Sequence, residues 1–293
     1  MPANQTHRKW TFSIDRGGTF TDIIGVGPQG KIESIKVLSH SVDYTDPAIE
    51  GIRRMMDLKT GQPMPQNRVS RIRMGTTVAT NALLERKGAS VALFITKGFR
   101  DLLQIGHQAR PELFKLAVKK PKQLYRCIKE VNERIDHSGR IIRQLEASKV
   151  REDLKRIRRM RITSVAIVLM HSWKNSEHEE CVAQIARELG FRQVSVSHEI
   201  MPLIKIVGRG QTTVVDAYLS PILMRYIDSV RAFTGSIPLE FMQSSGGMTD
   251  ADSFTGKDAI ISGPAGGVIG AAGVAKGNGL DEVIAFDMGG TST

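Results

Sequence analysis

Cysteine is scarce: Cys127 and Cys181 are the two present in 293 residues, and no CxxC pair exists. A disulfide framework and a cysteine-based zinc site are thereby excluded, and both thiols are expected to be reduced and structural. Long hydrophobic runs are missing as well. The longest uninterrupted apolar stretch is Val165 to Met170, whereas a membrane-spanning helix needs ~20 residues. The segment Met1 to Trp10 is polar and lacks the apolar core of a secretion signal, so a cytoplasmic protein without a membrane partner is expected. Aromatics make up 5% of the chain, and none interleaves with the strongest basic cluster, Lys149, Arg151, Lys155, Arg156, Arg158, Arg159 and Arg161. Without stacking platforms or a nucleic-acid motif, that cluster reads as a solvated helix face, and no nucleic acid is expected as a partner. The histidines His107, His137, His171, His178 and His198 show no HExxH spacing, and no GxSxG elbow surrounds Ser244 and Ser245. The usual zinc-hydrolase and serine-hydrolase signals are therefore lacking.

What is present is ordinary globular composition, 41% hydrophobic and 24% charged, with 41 Lys and Arg against 30 Asp and Glu for a net charge of +11. At roughly 150 residues per domain, the length suggests about two domains. Short β-rich runs bounded by glycine, Trp10 to Asp15, Thr21 to Val26 and Lys31 to Leu38, predict a three-stranded meander. Helical spacing over Pro47 to Asp57, Val78 to Arg86, Ala147 to Arg159 and Glu177 to Leu189 then alternates with strand-like Ile72 to Met74, Ser90 to Thr96, Ser164 to Met170 and Gln193 to Ser197. This is an α/β alternation. Lys119 to Glu146 has no clear period. Past a boundary near residue 200, the expectation is a helix over Thr212 to Phe233, a strand at Leu239 to Met242, a helical Gly263 to Ala275 and a last strand, Glu282 to Phe286.

The two ends of the chain repeat each other. Phe12-Ser13-Ile14-Asp15-Arg16-Gly17-Gly18-Thr19-Phe20-Thr21 and Ile284-Ala285-Phe286-Asp287-Met288-Gly289-Gly290-Thr291-Ser292-Thr293 are both an apolar strand followed by Asp-x-Gly-Gly-Thr-x-Thr. Two related domains, each opening with this turn, are the economical reading. Paired glycines let the backbone approach an anion, successive N–H groups form an anion-binding concavity, and a threonine hydroxyl can add a donor. An aspartate at the strand end suits a hydrated Mg²⁺, which keeps its waters beside substrate phosphate. One such copy could equally be a glycine-rich hairpin with a capping aspartate. The duplicate favours a clamp for nucleotide phosphates.

These paired loops resemble the two phosphate loops of the actin–hexokinase–Hsp70 ATPase superfamily, whose domains are RNase-H-like. The small-residue stretch Ser262 to Ala272 resembles that superfamily's first connecting helix. Together with Met74-Gly75-Thr76-Thr77-Val78-Ala79-Thr80-Asn81-Ala82-Leu83-Leu84-Glu85-Arg86-Lys87-Gly88, Gly98 to Leu103, Gln108 to Val118 and Asp216 to Pro221, the motifs resemble the hydantoinase A/5-oxoprolinase family, on its 5-oxoprolinase side. The resemblance runs from about residue 11 to the last residue. It implies an RNase-H-like, actin-like ATPase domain opening with the meander, plus the start of a second such domain. Residues 1–200 would be the N-terminal domain with the first phosphate loop, and 201–293 the start of a hydantoinase A-type domain, truncated at the second.

The family resemblance further implies ATP and Mg²⁺ as cofactors and a small cyclic amide as substrate, opened through phosphorylation of its carbonyl oxygen, as in 5-oxo-L-proline to L-glutamate. Asp15 and Asp287 would orient Mg²⁺-bound water. Gly17, Gly18, Thr19 and Thr21 would hold phosphate, with Gly289, Gly290 and Thr291 doing so from the second domain. Thr76, Thr77, Thr80 and Asn81 form a polar face open to a substrate or phosphate role or to plain helix capping, and Arg110 is either a carboxylate clamp or a surface ion pair. Ser244-Ser245-Gly246-Gly247 reads as a strand-ending turn near the nucleotide cleft. The alternatives within the resemblance are a hydantoinase or acetone-carboxylase-type subunit and a catalytically inactive remnant. The expected partners are the missing C-terminal half or a hydantoinase B-type subunit, in a homo-oligomer when complete. The resemblance implies a full second domain with the adenosine site and a long hydrolytic C-terminal half, which this chain lacks, so alone it is expected neither to bind ATP well nor to turn over.

Overall fold

The structure, a computed structural model, describes residues 9–59, 62–108, 112, 114–118, 120–286 and 288. Along the chain run β1 (Trp10–Arg16), β2 (Phe20–Val26), β3 (Ile32–Leu38), α1 (Pro47–Met55), β4 (Val69–Thr76), α2 (Val78–Leu84), β5 (Val91–Thr96) and α3 (Leu102–Ile105). They are followed by β6 (Tyr125–Val131), β7 (Arg134–Ile135), β8 (Ile141–Arg143), α4 (Ala147–Arg159), β9 (Ser164–Val168), α5 (Glu177–Glu188), β10 (Gln193–Val196) and α6 (Ser197–Ile200). The last elements are α7 (Ile206–Thr234), β11 (Leu239–Met242), β12 (Met248–Asp250) and α8 (Ser262–Gly277).

Two compact units emerge, residues 1–85 with 223–293 and residues 86–222. This spatial division differs from a cut near residue 200, because β11 returns to pair with β4 in the first unit's sheet. Helix α7 runs through the division, and Pro221 lies there, where the ring removes one backbone donor from the helix.

Unit 1 is a six-stranded sheet in the order β12-β11-β4-β1-β2-β3. The meander β1-β2-β3 is antiparallel, whereas β4 and β11 run parallel to β1. Strand alternation sends Phe12, Ile14, Ile23, Val37, Ile72, Met74 and Phe241 into the core. Helix α1 packs against the meander with Ile49 and Ile52 buried. Its start is fixed by Asp46, whose carboxylate accepts from Ala48 N at 2.9 Å and Ile49 N at 3.2 Å, with Pro47 in the first turn.

Unit 2 is built on a wholly parallel sheet ordered β10-β9-β5-β6. Every residue of β5 and β9 is buried, the near-continuous apolar run that a parallel sheet with covered faces demands. Val150, Leu154 and Ile157 of α4 and Val182, Ala183, Ile185 and Ala186 of α5 join its main core cluster, with Cys127 and Cys181 packed at the edge. The basic residues of α4 point away from that core, and Arg151 pairs with Glu188 at 2.6 Å. β6 arises inside the stretch that shows no clear period: it is an edge strand carrying Arg126, Lys129 and Glu130, held by its ladder with β5. Conversely, residues 282–286 form no strand. Ile284 and Phe286 are 98% and 78% exposed, and an extended segment without a neighbouring ladder has nothing to satisfy its backbone groups. Among the described residues no helix is long and apolar enough to cross a membrane.

Candidate functional site

Three parallel strands of unit 1, β1, β4 and β11, end at the same edge, which is where open α/β sheets take ligands. Each is followed by a loop rich in small polar residues: Gly17-Gly18-Thr19, Thr76-Thr77 and Ser244-Ser245-Gly246-Gly247.

The first loop is a tight turn. Gly17 N–H donates to Phe20 O at 3.0 Å, and a Cβ on Gly17 would lie 2.8 Å from that oxygen, so glycine is required by close approach. Beneath the turn, Ser39 donates from its backbone to Thr19 O at 2.8 Å and from its hydroxyl to Gly17 O at 2.7 Å. Thr21, fully buried, shares a 2.9 Å hydroxyl bond with Ser39. The amides of Gly18 and Thr19 donate to no other described group. Asp15 is exposed at the end of β1, its carboxylate against the backbone of Gly75, where an added Cβ would stand 3.1 Å from Oδ1.

The second loop is tied to the first. Thr77 donates from N and from Oγ1 to Arg16 O, both at 3.1 Å, and Asn81 Nδ2 donates to Thr77 Oγ1 at 3.3 Å. Thr76, 1% exposed, accepts from Val78 N, and Thr80 donates to Ile260 O at 2.5 Å. The structure thus brings Thr76, Thr77, Thr80 and Asn81 together with the first turn, their side chains engaged in holding loops to one another. Ser262 at the start of α8, fully buried, donates to Thr76 O at 3.1 Å. Arg16 joins the rear of this edge: it pairs with Asp46 at 3.4 Å and stacks over Tyr226 at 4.5 Å. Burial pushes the Tyr226 hydroxyl above its ordinary range.

In the third loop, Ser244 donates to Asp258 O at 2.7 Å from its hydroxyl and accepts from Ile261 N at 3.1 Å. Gly246 adopts φ +85°, a conformation that favours glycine. Ser39 and Asp258 were not singled out by any motif, and Ser262 entered only as the start of the small-residue stretch. Arg110, Asp287, Gly289, Gly290 and Thr291 lie outside the described residues.

Unit 2 carries a different concentration of chemistry, also at the carboxyl ends of its strands. Glu179, fully buried, accepts from Leu169 N at 2.8 Å, Ser197 Oγ at 2.6 Å and His198 Nδ1 at 2.8 Å. Arg209, equally buried, donates to Ser197 Oγ, Leu203 O and Leu169 O. His178 and Thr96 both bond to the buried carboxylate of Glu133. The bond to Glu179 raises the pKa of His198 above the usual histidine value, while burial lowers that of Arg209.

Comparison with known proteins adds relatives. A family model described as the hydantoinase/oxoprolinase N-terminal region matches residues 11–190, and a second, hydantoinase/oxoprolinase, matches 209–293. The two models part on either side of residue 200, whereas the spatial units divide at 85/86 and 222/223. 5-Oxoprolinase 1 of Arabidopsis thaliana is 42% identical over 97% of this chain and 25% of its own length. The crystal structure of the ATP-dependent caprolactamase from Pseudomonas jessenii matches with a TM-score of 0.79 at 30% identity, over 96% of this chain and 42% of that one. Nucleotide-free acetone carboxylase matches with a TM-score of 0.74 at 21% identity, over 92% and 41% of the two chains, a likeness of fold. The chain spans about a quarter of the length of the 5-oxoprolinases it matches.

Proposed function

The chain belongs to the hydantoinase/oxoprolinase family, and on that premise we propose that it is the N-terminal part of an ATP- and Mg²⁺-dependent hydrolase that opens 5-oxo-L-proline to L-glutamate. One observation carries the reading: the Gly17-Gly18-Thr19 turn leaves the amides of Gly18 and Thr19 without another described acceptor, at the edge where β1, β4 and β11 end together. That arrangement fits a phosphate, and the exposed Asp15 beside it fits a hydrated Mg²⁺. Bound there, Mg·ATP would supply the phosphoryl group that turns the lactam oxygen, otherwise part of a poor electrophile, into a leaving group, with ADP released as the β–γ bond breaks.

The chain's own residues bind and orient. Asp15 would hold metal-bound water, and Gly17, Gly18 and Thr19 would cradle phosphate. Thr21 and Ser39 keep the turn in shape from beneath, and Thr76, Thr77, Thr80 and Asn81 fix the neighbouring loops to it. Asp287, Gly289, Gly290 and Thr291 take the matching role in the second phosphate loop, and Arg110 that of a substrate clamp. The sheet order β3-β2-β1-β4-β11, antiparallel and then parallel, supports an RNase-H-like, actin-like domain. The remaining part of the enzyme, or a hydantoinase B-type subunit, completes the protein in a homo-oligomer.

Isothermal titration of Mg·ATP into the chain tests this, with Asp15→Ala and Gly17→Ala as controls. Saturable binding that weakens at least tenfold, about 1.4 kcal/mol, in both folded variants is expected. Equal binding by the variants contradicts the assignment. A hydantoinase- or acetone-carboxylase-type subunit is the second reading, favoured by the likeness to caprolactamase. Turnover of 5-oxo-L-proline against caprolactam and hydantoin by the complete enzyme separates the two.

A further inference from the structure

Unit 2 has a place of its own for a ligand. In an open parallel sheet the crevice lies outside the carboxyl ends of the two adjacent strands whose outgoing connections leave toward opposite sides. In the order β10-β9-β5-β6 those strands are β5 and β9: the chain leaves β5 for β6 and leaves β9 for β10. Their ends are tied where Met170 N–H donates to Thr96 Oγ1 at 2.8 Å. Gly98-Phe99 follows one strand and His171-Ser172 the other. His171 is half-buried and holds φ +60°, a strained backbone for a non-glycine residue and a feature that concentrates at functional sites.

Arg134, just past β6, lays its guanidinium over the Phe99 ring at 5.0 Å, and among the described residues no carboxylate pairs with it. The acids nearby are already committed. Asp136 is held by Ser138 Oγ at 2.6 Å and Arg140 Nε at 3.3 Å, Glu133 by His178 and Thr96, and Glu130 accepts from Gly98 N at 2.8 Å. Arg209 spends its donors on Ser197, Leu203 and Leu169. Burial first, and then the positive charge of Arg134 and Arg209, holds His171 below the usual histidine pKa, against the opposing charge of Asp136. With these carboxylates already bonded elsewhere, Arg134 is left without an acid partner among the described residues. A guanidinium stacked on a ring keeps its in-plane N–H edge free, the geometry that grips a carboxylate with two parallel bonds.

We propose that the crevice outside β5 and β9 is a binding site for a small carboxylate, gripped by Arg134 and His171 with Phe99 as its apolar wall. The site stands on unit 2 alone, and taking its ligand as the substrate carboxylate rests on the function proposed above. The test is titration of the whole chain with 5-oxo-L-proline, with acetate and with 2-pyrrolidinone, which has the lactam ring but no carboxylate, following the His171 ring resonances by NMR. Expected are saturable shifts with at least one carboxylate and none with 2-pyrrolidinone. Binding should fall at least tenfold in Arg134→Gln and partly return in Arg134→Lys. If Arg134→Gln does not fold, His171→Phe should show the same tenfold loss in binding, read by calorimetry. No shift with either carboxylate, an equal shift with 2-pyrrolidinone, or unchanged affinity in the variants overturns the proposal.

Discussion

The two units put their chemistry in the same topological place and make it from opposite materials. Unit 1 lines the carboxyl edge of β1, β4 and β11 with glycine, serine and threonine, whose hydroxyls lock loop to loop and leave backbone amides facing outward. Unit 2 loads the ends of β5, β6, β9 and β10 with Glu133, His178, Glu179, His198 and Arg209, nearly all buried and bonded to one another. The first edge, with Asp15 as its exposed charge, is preshaped for an anion that brings its own cation. The second is a charged network whose members depend on their partners, because a buried charge stripped of its partner is far costlier than a missing neutral bond.

Breaking each edge should therefore give unequal effects, and the sequence supplies one reporter per unit: Trp10 in unit 1 and Trp173 in unit 2. The largest loss is expected for Arg209→Met, which takes the guanidinium donors from Leu169 O, Leu203 O and Ser197 Oγ and the buried cation from beside Glu179. Stability should fall by about 3–5 kcal/mol, read as an earlier urea transition of Trp173 fluorescence. Next comes Gly51→Ala in unit 1, where the new methyl would meet Ile23 Cδ1 at 2.4 Å and Cγ1 at 2.7 Å. Overpacking of this kind costs about 1–3 kcal/mol, and it should appear in a Trp10 transition.

A smaller effect sharpens the contrast through pH. The His198 pKa is raised by its bond to Glu179, so its contribution is fully present below the ordinary histidine value and is lost as pH rises through the elevated one. Melting temperatures of the wild type and His198→Gln, measured from pH 5.5 upward, should therefore converge as the solution becomes more alkaline. The smallest effect concerns the thiols. Burial raises the pKa of both Cys127 and Cys181, so iodoacetamide should modify them slowly at pH 7 in the native chain and rapidly in urea.

The same contrast explains what could be read in advance. The meander was legible because Gly17-Gly18 and Gly27 to Gly30 punctuate its strands, and α4 emerges over Ala147–Arg159 as its apolar spacing predicts. The turn after β1 stood out in the sequence because its Asp-x-Gly-Gly-Thr-x-Thr recurs at Asp287 to Thr293. β6 was not, since an edge strand with Arg126, Lys129 and Glu130 has no apolar period and owes its existence to β5. Glu282 to Phe286 reads as a strand by composition, yet strand character is realised through pairing. The network of unit 2 joins residues 37, 45 and 74 positions apart, and such partners leave no local pattern. Ser39 escaped for the same reason, as did the bond that Ser262 makes at the start of its small-residue stretch: a single serine is informative once its acceptor is known.

The central claim is that the turn after β1 is a preformed phosphate cradle, and amide hydrogen exchange of the chain with and without Mg·ATP tests it most directly. The account predicts added protection at Gly18 and Thr19 and in the adjoining loops at Thr76-Thr77 and Ser244 to Gly247, all lost in Gly17→Ala. Exchange at Gly18 and Thr19 that is indifferent to Mg·ATP, in a chain otherwise shown to be folded, would contradict it.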